Sequence, residues 1–349
     1  MASRALYSTS FARAGRVAAP ASWWRAAAAV RQFHEAKPPA RPAPRALGEV
    51  VKPDNSGGGG ASASQAGAKR AVHELYEDVG SKKLADFDLK GGVYVVTGGA
   101  RGLGLHLAEG LVEAGGKVWC LDRLPEPDLP FQQAKQRIKP EWGGSLNYCQ
   151  VDVTDNESLE RVIRSIGELH SRIDGLVAAA GIQKICPAVE YSPDDVAKMM
   201  QVNYTGLMMS ATAVARQMMR YKIRGSICFI ASMSGIVANK GLISPVYNSS
   251  KAAVIQLARN LAMEWGRVKD DGSGGIRVNC LSPGHIITPM VEENFREVPG
   301  LRETWERENM LGRLSRPEEY KGAALFLLSR ASGFMTGGNL VIDGGHTAW

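Results

Sequence analysis

The sequence predicts an α/β fold: one domain built on a doubly wound parallel sheet of about seven strands with helices on both faces. Short runs that are apolar on both strand faces are typical of strands covered on both sides. Helical patterns of about ten to twenty residues separate these runs, which is long enough for the crossovers that parallel strands need. The runs cover residues 92–98, 117–122, 147–153, 175–181, 225–232, 276–282 and 339–344.

The predicted domain occupies residues 84–349, because no low-complexity break interrupts that region. Residues 34–83 are first rich in Pro and Ala and then in Gly and Ser, without apolar periodicity. This composition predicts a disordered linker and N-terminal extension. No repeat of fixed period occurs along the chain, so solenoids and propellers are not expected.

Residues 1–33 contain five arginines and no acidic residue. A segment rich in Arg, Ala and Ser, without a long uncharged apolar run, is typical of a mitochondrial presequence. We therefore expect the protein in the mitochondrial matrix; an untargeted extension is the alternative. Removing these arginines from the 42 basic residues leaves 37 against 35 acidic ones, so the basic excess lies mostly in this segment.

Composition also bounds the partners. A domain that is nearly neutral gives no reason to expect a nucleic-acid partner. No apolar stretch reaches the length of about 18 residues that a membrane span needs. The five cysteines are scattered, without Cys-x-x-Cys spacing, so neither a disulfide framework nor a metal site is predicted.

A glycine-rich turn, "TGGARGLG", follows the first strand and leads directly into a helical pattern. Glycines allow a tight turn and a close approach of the backbone to a pyrophosphate, whose charge a helix N-terminus stabilises. Because such a turn alone is weak evidence, the strand ends that follow matter. The predicted cofactor-binding residues of the turn are Thr97, Gly98, Arg101, Gly102, Leu103 and Gly104.

Acidic and small residues end the next three strands. Asp122 ends the second strand, where it can accept hydrogen bonds from an adenosine ribose, and Asp152 follows the third strand, where it can accept from the adenine amino group. Solvated strand-end acids are the structural alternative. The predicted cofactor contacts at these strand ends are Asp122, Arg123, Asp152, Val153, Ala179 and Gly181.

The same residues bear on the choice of dinucleotide. The charge of Asp122 would repel a 2′-phosphate, which favours NAD. Arg101 and Arg123 could each pair with that phosphate, which keeps NADP open.

Tyr247 and Lys251 stand four residues apart near the start of a long helical pattern, so their side chains share one helix face. A tyrosine hydroxyl can remove or supply the proton when an alcohol and a ketone are interconverted. Free tyrosine titrates near pH 10, so a neighbouring cation is needed to favour the phenolate.

Eight motifs, in this order along the chain, resemble those of the short-chain dehydrogenase/reductase family. They are "TGGARGLG", "VDVT", "AAAG", "MQVNYTG", "IASMSG", "YNSSK", "SPGHIIT" and "VIDGG", and the resemblance spans roughly residues 88 to 346. It implies a Rossmann fold and an oxidoreductase that moves a hydride between a nicotinamide cofactor and a secondary alcohol or ketone. Two departures are "AAAG", which lacks the asparagines usual before Ala-Gly, and a longer interval between Ser232 and Tyr247.

The resemblance adds site residues. It implies a catalytic set of Ser232, Tyr247 and Lys251, which Asn203 completes through a bend in its helix. Tyr247 and Lys251 are also expected to contact the cofactor. Ser232 is preferred to Ser234 because the family serine is commonly followed at the third place by a small residue. The "SPG" motif implies nicotinamide contacts from Pro283, Gly284, Ile286 and Thr288.

The predicted substrate is a polyol or its ketose, because several motifs look like those of fungal polyol dehydrogenases of this family. A short mobile helical lid is predicted after the "SPG" turn. The candidate substrate residues are Gln183, His285 and Trp305, the last either lid core or pocket wall. Such relatives also imply a homotetramer with Trp349 near a neighbouring site. Alternatives are an NADPH-dependent ketone or 3-oxoacyl-carrier-protein reductase, and a non-catalytic dinucleotide-binding scaffold.

Overall fold

A computed structural model describes residues 84–240 and 243–349. The predicted presequence and linker lie outside the described residues. Within them, seven strands form one parallel sheet in the order β3-β2-β1-β4-β5-β6-β7. The strands are β1 (Val93–Thr97), β2 (Lys117–Asp122), β3 (Ser145–Gln150), β4 (Gly175–Ala178), β5 (Ser226–Ile230), β6 (Arg277–Pro283) and β7 (Asn339–Ile342).

Helices connect the strands and cover the sheet. They are α1 (Gly102–Glu113), α2 (Leu129–Gln136), α3 (Asn156–His170), α4 (Pro193–Met200), α5 (Leu207–Arg220), α6 (Pro245–Trp265), α7 (Pro289–Glu297), α8 (Leu301–Arg307) and α9 (Lys321–Leu328). A π-helical turn, Gln201–Gly206, joins α4 to α5. None of the helices in the described residues is long and apolar enough to cross a membrane.

Two hydrophobic clusters lie on opposite faces of the sheet, as the period of two in a strand requires. In β1, Val93 and Val95 belong to the cluster under α3, α5 and α6, whereas Tyr94 and Val96 belong to the cluster under α1, α2 and α9. The predicted fold class is therefore confirmed: a single doubly wound α/β domain with both faces covered.

Burial differs between the centre and the edges of the sheet. β1, β4 and β5 are buried along their whole length, as the apolar runs predict. The edge strands β3 and β7 are mostly only partly buried, because each has a neighbour on one side alone. Apolar composition therefore identifies all seven strands but does not tell edge from centre.

The strand order reverses direction between β1 and β4, which are neighbours although two strands separate them in the chain. In open α/β sheets the connections on either side of such a point leave in opposite directions and open a crevice at the carboxyl ends of the strands. The glycine-rich turn after β1 and the small residues after β4 border this crevice.

Candidate active site

The glycine-rich turn packs tightly against its own helix. Gly98 and Gly102 have positive φ angles of 69° and 56°, which residues other than glycine rarely adopt. A Cβ on Gly104 would lie 2.2 Å from the Gly98 carbonyl oxygen. The turn thus needs glycine at these positions, and α1 begins at Gly102 with its N-terminus at the strand ends. Thr97 is buried beneath the turn, while Arg101 is exposed and Leu103 is partly buried.

Asp122 ends β2 beside this turn. Its Oδ2 accepts a hydrogen bond from the Ala100 backbone nitrogen at 3.2 Å, and its Oδ1 has no partner among the described residues. The free oxygen could accept from a ribose hydroxyl. Asp152 is exposed, and it already accepts from the Thr154 nitrogen and hydroxyl at 2.9 and 2.8 Å. Its second oxygen is available to an adenine amino group, and Val153 is buried beside it.

Tyr247 and Lys251 lie in the first two turns of α6, where Pro245 opens the helix. The Lys251 ammonium is 5.7 Å from the centre of the Tyr247 ring, and it donates to the Ile230 carbonyl oxygen at 2.8 Å. Ser232 lies two residues after the end of β5, close enough to the Tyr247 hydroxyl to act on the pKa of that group. The end of one strand and one helix thus bring these three predicted catalytic side chains together.

Burial changes the proton affinity of both groups. It raises the pKa of Tyr247, and Ser232 offsets part of that increase. It lowers the pKa of Lys251 to about 8, which Cys280 opposes in part. Both changes favour the neutral side chains, because a charge loses water contacts inside the protein. Tyr247 therefore holds its proton in the free protein.

Asn203 lies in the π-helical turn and is fully buried. Its Oδ1 accepts from the Ile182 nitrogen at 2.9 Å, and its Nδ2 donates to the Ile182 carbonyl and to the Ser250 hydroxyl, both at 3.0 Å. The bend that the family resemblance implies is thus present. The side chain ties the loop after β4 to α6, one residue before Lys251.

Gly181 packs close to two of these groups. A Cβ there would lie 3.5 Å from the Asn203 Oδ1 and 3.7 Å from the Lys251 Nζ. Glycine thus keeps the wall beside the lysine free of side-chain atoms. Ala178 and Ala179 precede it, so small residues line this side of the crevice where the family has asparagines. Lys251 would be the hydrogen-bond donor to a nicotinamide ribose held at this wall.

The loop after β6 completes the crevice. A Cβ on Gly284 would lie 2.6 Å from the Asp343 Cα, so the turn packs against the "VIDGG" segment after β7. Ile286 is buried and bridges to Ser315. The Thr288 hydroxyl accepts from the Val291 nitrogen at 3.4 Å and caps α7. Pro283 and Thr288 thus border the loop at its two ends, and their nicotinamide contacts stay predictions.

The predicted lid consists of two helices, α7 and α8. Trp305 is 1% exposed and packs with Leu301 and Leu314, so it belongs to the lid core. The His285 ring stacks on Trp305, with ring centres 3.8 Å apart. Gln183 accepts a hydrogen bond from Asn294 of α7. The three candidate substrate residues therefore meet the lid, while their contact with substrate stays a prediction.

Sequence reasoning missed several side chains that position the site. Ser250 accepts from Asn203, and its place at i+3 from Tyr247 is the signal that could have shown it. Ser234, the alternative to Ser232, is bound by Asn239, a buried residue of the lengthened interval. Ser232 itself accepts from the Ser234 nitrogen at 3.1 Å, which orients its hydroxyl. The contact with Tyr247 favours Ser232 as the serine of the site.

Metal ligands are not grouped in the described part of the chain. Across residues 84–240 and 243–349, no three His, Cys, Asp or Glu side chains are arranged to hold a metal ion. The cysteines in this range are free, and Cys120, Cys228 and Cys280 are buried in strands, where burial raises the pKa of each thiol.

Known proteins are similar to this chain in sequence and architecture. A family model described as enoyl-(acyl carrier protein) reductase matches residues 98–347. A short-chain dehydrogenase/reductase of Aspergillus versicolor is 40% identical over 265 residues, which are 75% of this chain and 89% of the relative. The ribulose-forming D-arabinitol 2-dehydrogenase of Candida albicans is 34% identical, covering 76% of this chain and 96% of the relative.

Two further matches extend the comparison. The L-tagatose-forming galactitol 2-dehydrogenase of Cereibacter sphaeroides is 35% identical, covering 75% of this chain and 98% of the relative. The crystal structure of a gluconate 5-dehydrogenase from Burkholderia cenocepacia, in complex with NADP and tartrate, superposes with a TM-score of 0.68 at 31% identity, covering 77% of this chain and 100% of that one. The chain therefore belongs to the short-chain dehydrogenase/reductase family, and it is an NAD(P)-dependent oxidoreductase that acts on CH–OH groups.

Proposed function

We propose that the protein oxidises a sugar alcohol to a ketose with NAD, and catalyses the reverse reaction, as a D-arabinitol 2-dehydrogenase does. The observation that carries the proposal is the meeting of Ser232, Tyr247 and Lys251 beside Gly181. The D-arabinitol and galactitol dehydrogenases among its relatives support a polyol as the substrate class.

The chain's own residues would manage the proton of the reaction. A bound nicotinamide supplies the hydride acceptor. Ser232 would hold the carbinol oxygen next to the Tyr247 hydroxyl, so that the proton has a short path between them. Lys251 would favour the phenolate when it is charged, and would fix the ribose of the cofactor through a hydrogen bond. Asn203 would keep the loop after β4 in place against α6.

The proposed preference for NAD rests on Asp122. Its carboxylate ends β2 beside the glycine-rich turn, where a 2′-phosphate would meet a like charge. Asp122→Ala should therefore lower the ratio of kcat/KM with NAD to kcat/KM with NADP by at least about tenfold. Glu126→Ala, an exposed acid nearby in the chain, is the control. An unchanged ratio in the Asp122 variant would contradict the preference.

The substrate class is tested by following NADH and NADPH absorbance with a panel of pentitols and hexitols and each oxidised cofactor. We expect turnover of at least one polyol, with the matching ketose as the product. Turnover confined to NADPH with acyl thioesters would reject the polyol proposal.

A second candidate is an NADPH-dependent ketone or 3-oxoacyl-carrier-protein reductase. Two observations favour it: the matching family model is named for a carrier-protein reductase, and Arg101 and Arg123 are exposed. Neither arginine side chain makes an ion pair within the described ranges, so both are available to a 2′-phosphate. Reduction of an acetoacetyl thioester with NADPH, in the same assay, distinguishes this candidate.

We also propose a mitochondrial matrix location, on the composition of residues 1–33. A fluorescent protein that carries these residues should enter mitochondria, and the same fusion with all five arginines changed to glutamine should stay outside. Entry of both fusions, or of neither, would contradict the proposal.

A homotetramer is our proposal for the assembly. Its support is the open edge of the sheet at β7 and the 74% exposed Trp349 beyond it. Sedimentation should give a tetramer for the whole chain and a smaller species after deletion of the last three residues. A tetramer in both cases, with unchanged KM, would contradict the role of Trp349.

A further inference from the structure

Two carboxamides join the loop after β4 to the first lid helix. Asn294 of α7 donates through Nδ2 to the Gln183 Oε1 at 3.2 Å. Asn294 is 7% exposed, although the other polar residues of α7 near it, such as Glu293 and Arg296, face solvent and pair with each other. A polar side chain buried in this way stabilises the fold only when its hydrogen bonds are made.

Each of these carboxamides keeps one polar atom unused. The Gln183 Nε2 and the Asn294 Oδ1 have no hydrogen-bond partner in the part of the chain that the structure describes. Neither atom is among the buried side-chain atoms that lack a partner, so both retain contact with solvent. The pair therefore offers one donor and one acceptor side by side. If both carboxamides are turned over, so that their O and N atoms exchange places, the pair again has one free donor and one free acceptor.

The loop that carries Gln183 also contacts the residues of the proposed catalytic site. Gln183 is two residues after Gly181, and a Cβ on Gly181 would lie 3.7 Å from the Lys251 Nζ. Ile182, between them, is held on both sides by Asn203. The Cys186 nitrogen donates to the Ile243 carbonyl at 2.9 Å, so the same loop also contacts the segment between Ser232 and Tyr247. A substrate on Tyr247 would extend past Gln183 towards the lid.

Two lysines of the surrounding loops are already paired with carboxylates. The Lys184 ammonium is 2.7 Å from the Asp195 carboxylate. The Lys240 ammonium is 3.2 Å from the Glu308 carboxylate. Neither of these two lysines is therefore free to balance an anionic substrate.

We propose that Gln183 and Asn294 form a hydroxyl-binding subsite that selects a neutral polyhydroxylated chain over a sugar acid. A hydroxyl can donate to one group and accept from the other at the same time, which matches the free donor and acceptor. A carboxylate only accepts, and it would face the free Asn294 oxygen. The subsite rests on the proposed polyol function, and it would bind a hydroxyl beyond the reacting carbon.

The test compares substrates that differ in distal hydroxyls. For the whole chain, kcat/KM is measured with the best polyol of the panel and with 2-pentanol, which has no hydroxyl beyond the reacting one. Asn294→Leu and Gln183→Leu should each lower the ratio of these two values by at least about tenfold, the loss expected for one hydrogen bond in a closed site. Their effect should fall on the polyol, with 2-pentanol nearly unchanged.

Glu297→Leu is the matched control, because it places the same side chain at an exposed position of the same helix. Its ratio should stay within about twofold of the natural protein. Asn294→Asp serves if a leucine variant does not fold: it keeps the size and an acceptor, so polyol oxidation should persist while any turnover of gluconate falls.

The outcomes separate the subsite from the polyol function. Polyol turnover with an unchanged ratio in both leucine variants overturns the subsite alone. Oxidation of 2-pentanol by the natural protein with no turnover of any polyol overturns the proposed function and the subsite together.

Discussion

The proton chemistry of the site depends on how burial acts on two side chains four residues apart. Burial raises the pKa of Tyr247 and lowers that of Lys251 to about 8. Spacing in the sequence predicts that the two side chains share a helix face, which the ring-to-ammonium distance of 5.7 Å confirms. Spacing could not predict the pKa shifts, because they depend on burial and, for Lys251, on Cys280 of a distant strand.

His285 gives a prediction about acid stability. Burial, and to a lesser degree His346, lowers its pKa from 6.5 to about 3. Between these two pH values the unfolded chain binds a proton that the folded chain does not, so the free energy of unfolding falls as the pH falls from 6.5 towards 3. His285→Phe keeps a ring on Trp305 and removes this titration. At pH 5 it should relieve on the order of 2 kcal/mol of acid destabilisation.

The free energy of unfolding of the natural protein and of the His285→Phe variant is measured in urea at neutral pH and at pH 5. Comparing the change between the two pH values in each protein removes any effect of the substitution that does not depend on pH. His106→Phe is the control, because that partly exposed imidazole is paired with Glu318 rather than buried. Parallel pH profiles for the natural protein and the His285 variant would contradict the account of a buried neutral imidazole.

The turn between β1 and α1 shows what a motif can and cannot establish. The glycine pattern predicts close packing of helix and strand, and the Cβ that would lie 2.2 Å from the Gly98 oxygen explains it at Gly104.

The sequence of the lid predicts helices, and α7 and α8 are present. The sequence pattern of the lid did not decide whether Trp305 belongs to the lid core or to the pocket wall. Only the packing of Leu301 and Leu314 around the indole places it in the core.

Gly104→Ala should destabilise the fold by about 1 to 3 kcal/mol, because backbone atoms must move to admit the methyl group. It should also weaken NADH binding, since the turn would shift. Gly322→Ala in α9 is the matched control: nothing lies within 4 Å of its Cβ position. Alanine there should raise stability by up to about 1 kcal/mol through helix propensity. Chemical unfolding and NADH fluorescence titration measure both effects, and equal stability changes would contradict the packing argument.

In the domain as a whole, the order of the strands in the sheet determines where the predicted site lies. Apolar runs predict seven buried strands, and all seven pair in the parallel arrangement. The strand order brings the ends of β1, β2 and β4 together with Ser232 and the start of α6. Sequence alone reaches this site only through the family resemblance, because the side chains come from separate positions along the chain. The cross-contacts of Asn203, Gln183 and Asn294 depend on packing and had no sequence signal of that kind.

A chain that begins at Arg70 should keep full activity. The hydrophobic clusters and the predicted site that we describe are formed by residues after Leu84. We expect kcat/KM within about twofold of the whole chain and an unchanged melting temperature. Loss of activity in the shortened chain, with the fold intact by circular dichroism, would mean that residues 1–69 contribute to the site.

The most direct test of the account is Tyr247→Phe, which removes one hydroxyl and keeps the ring beside Lys251. Oxidation of the best polyol is followed by NADH absorbance, and NADH binding is measured separately by fluorescence. We predict that kcat/KM falls by about a hundredfold to ten-thousandfold while cofactor affinity and melting temperature hardly change, because only the proton path is lost. Activity within about tenfold of the natural protein would show that Tyr247 is not the acid and base of the reaction.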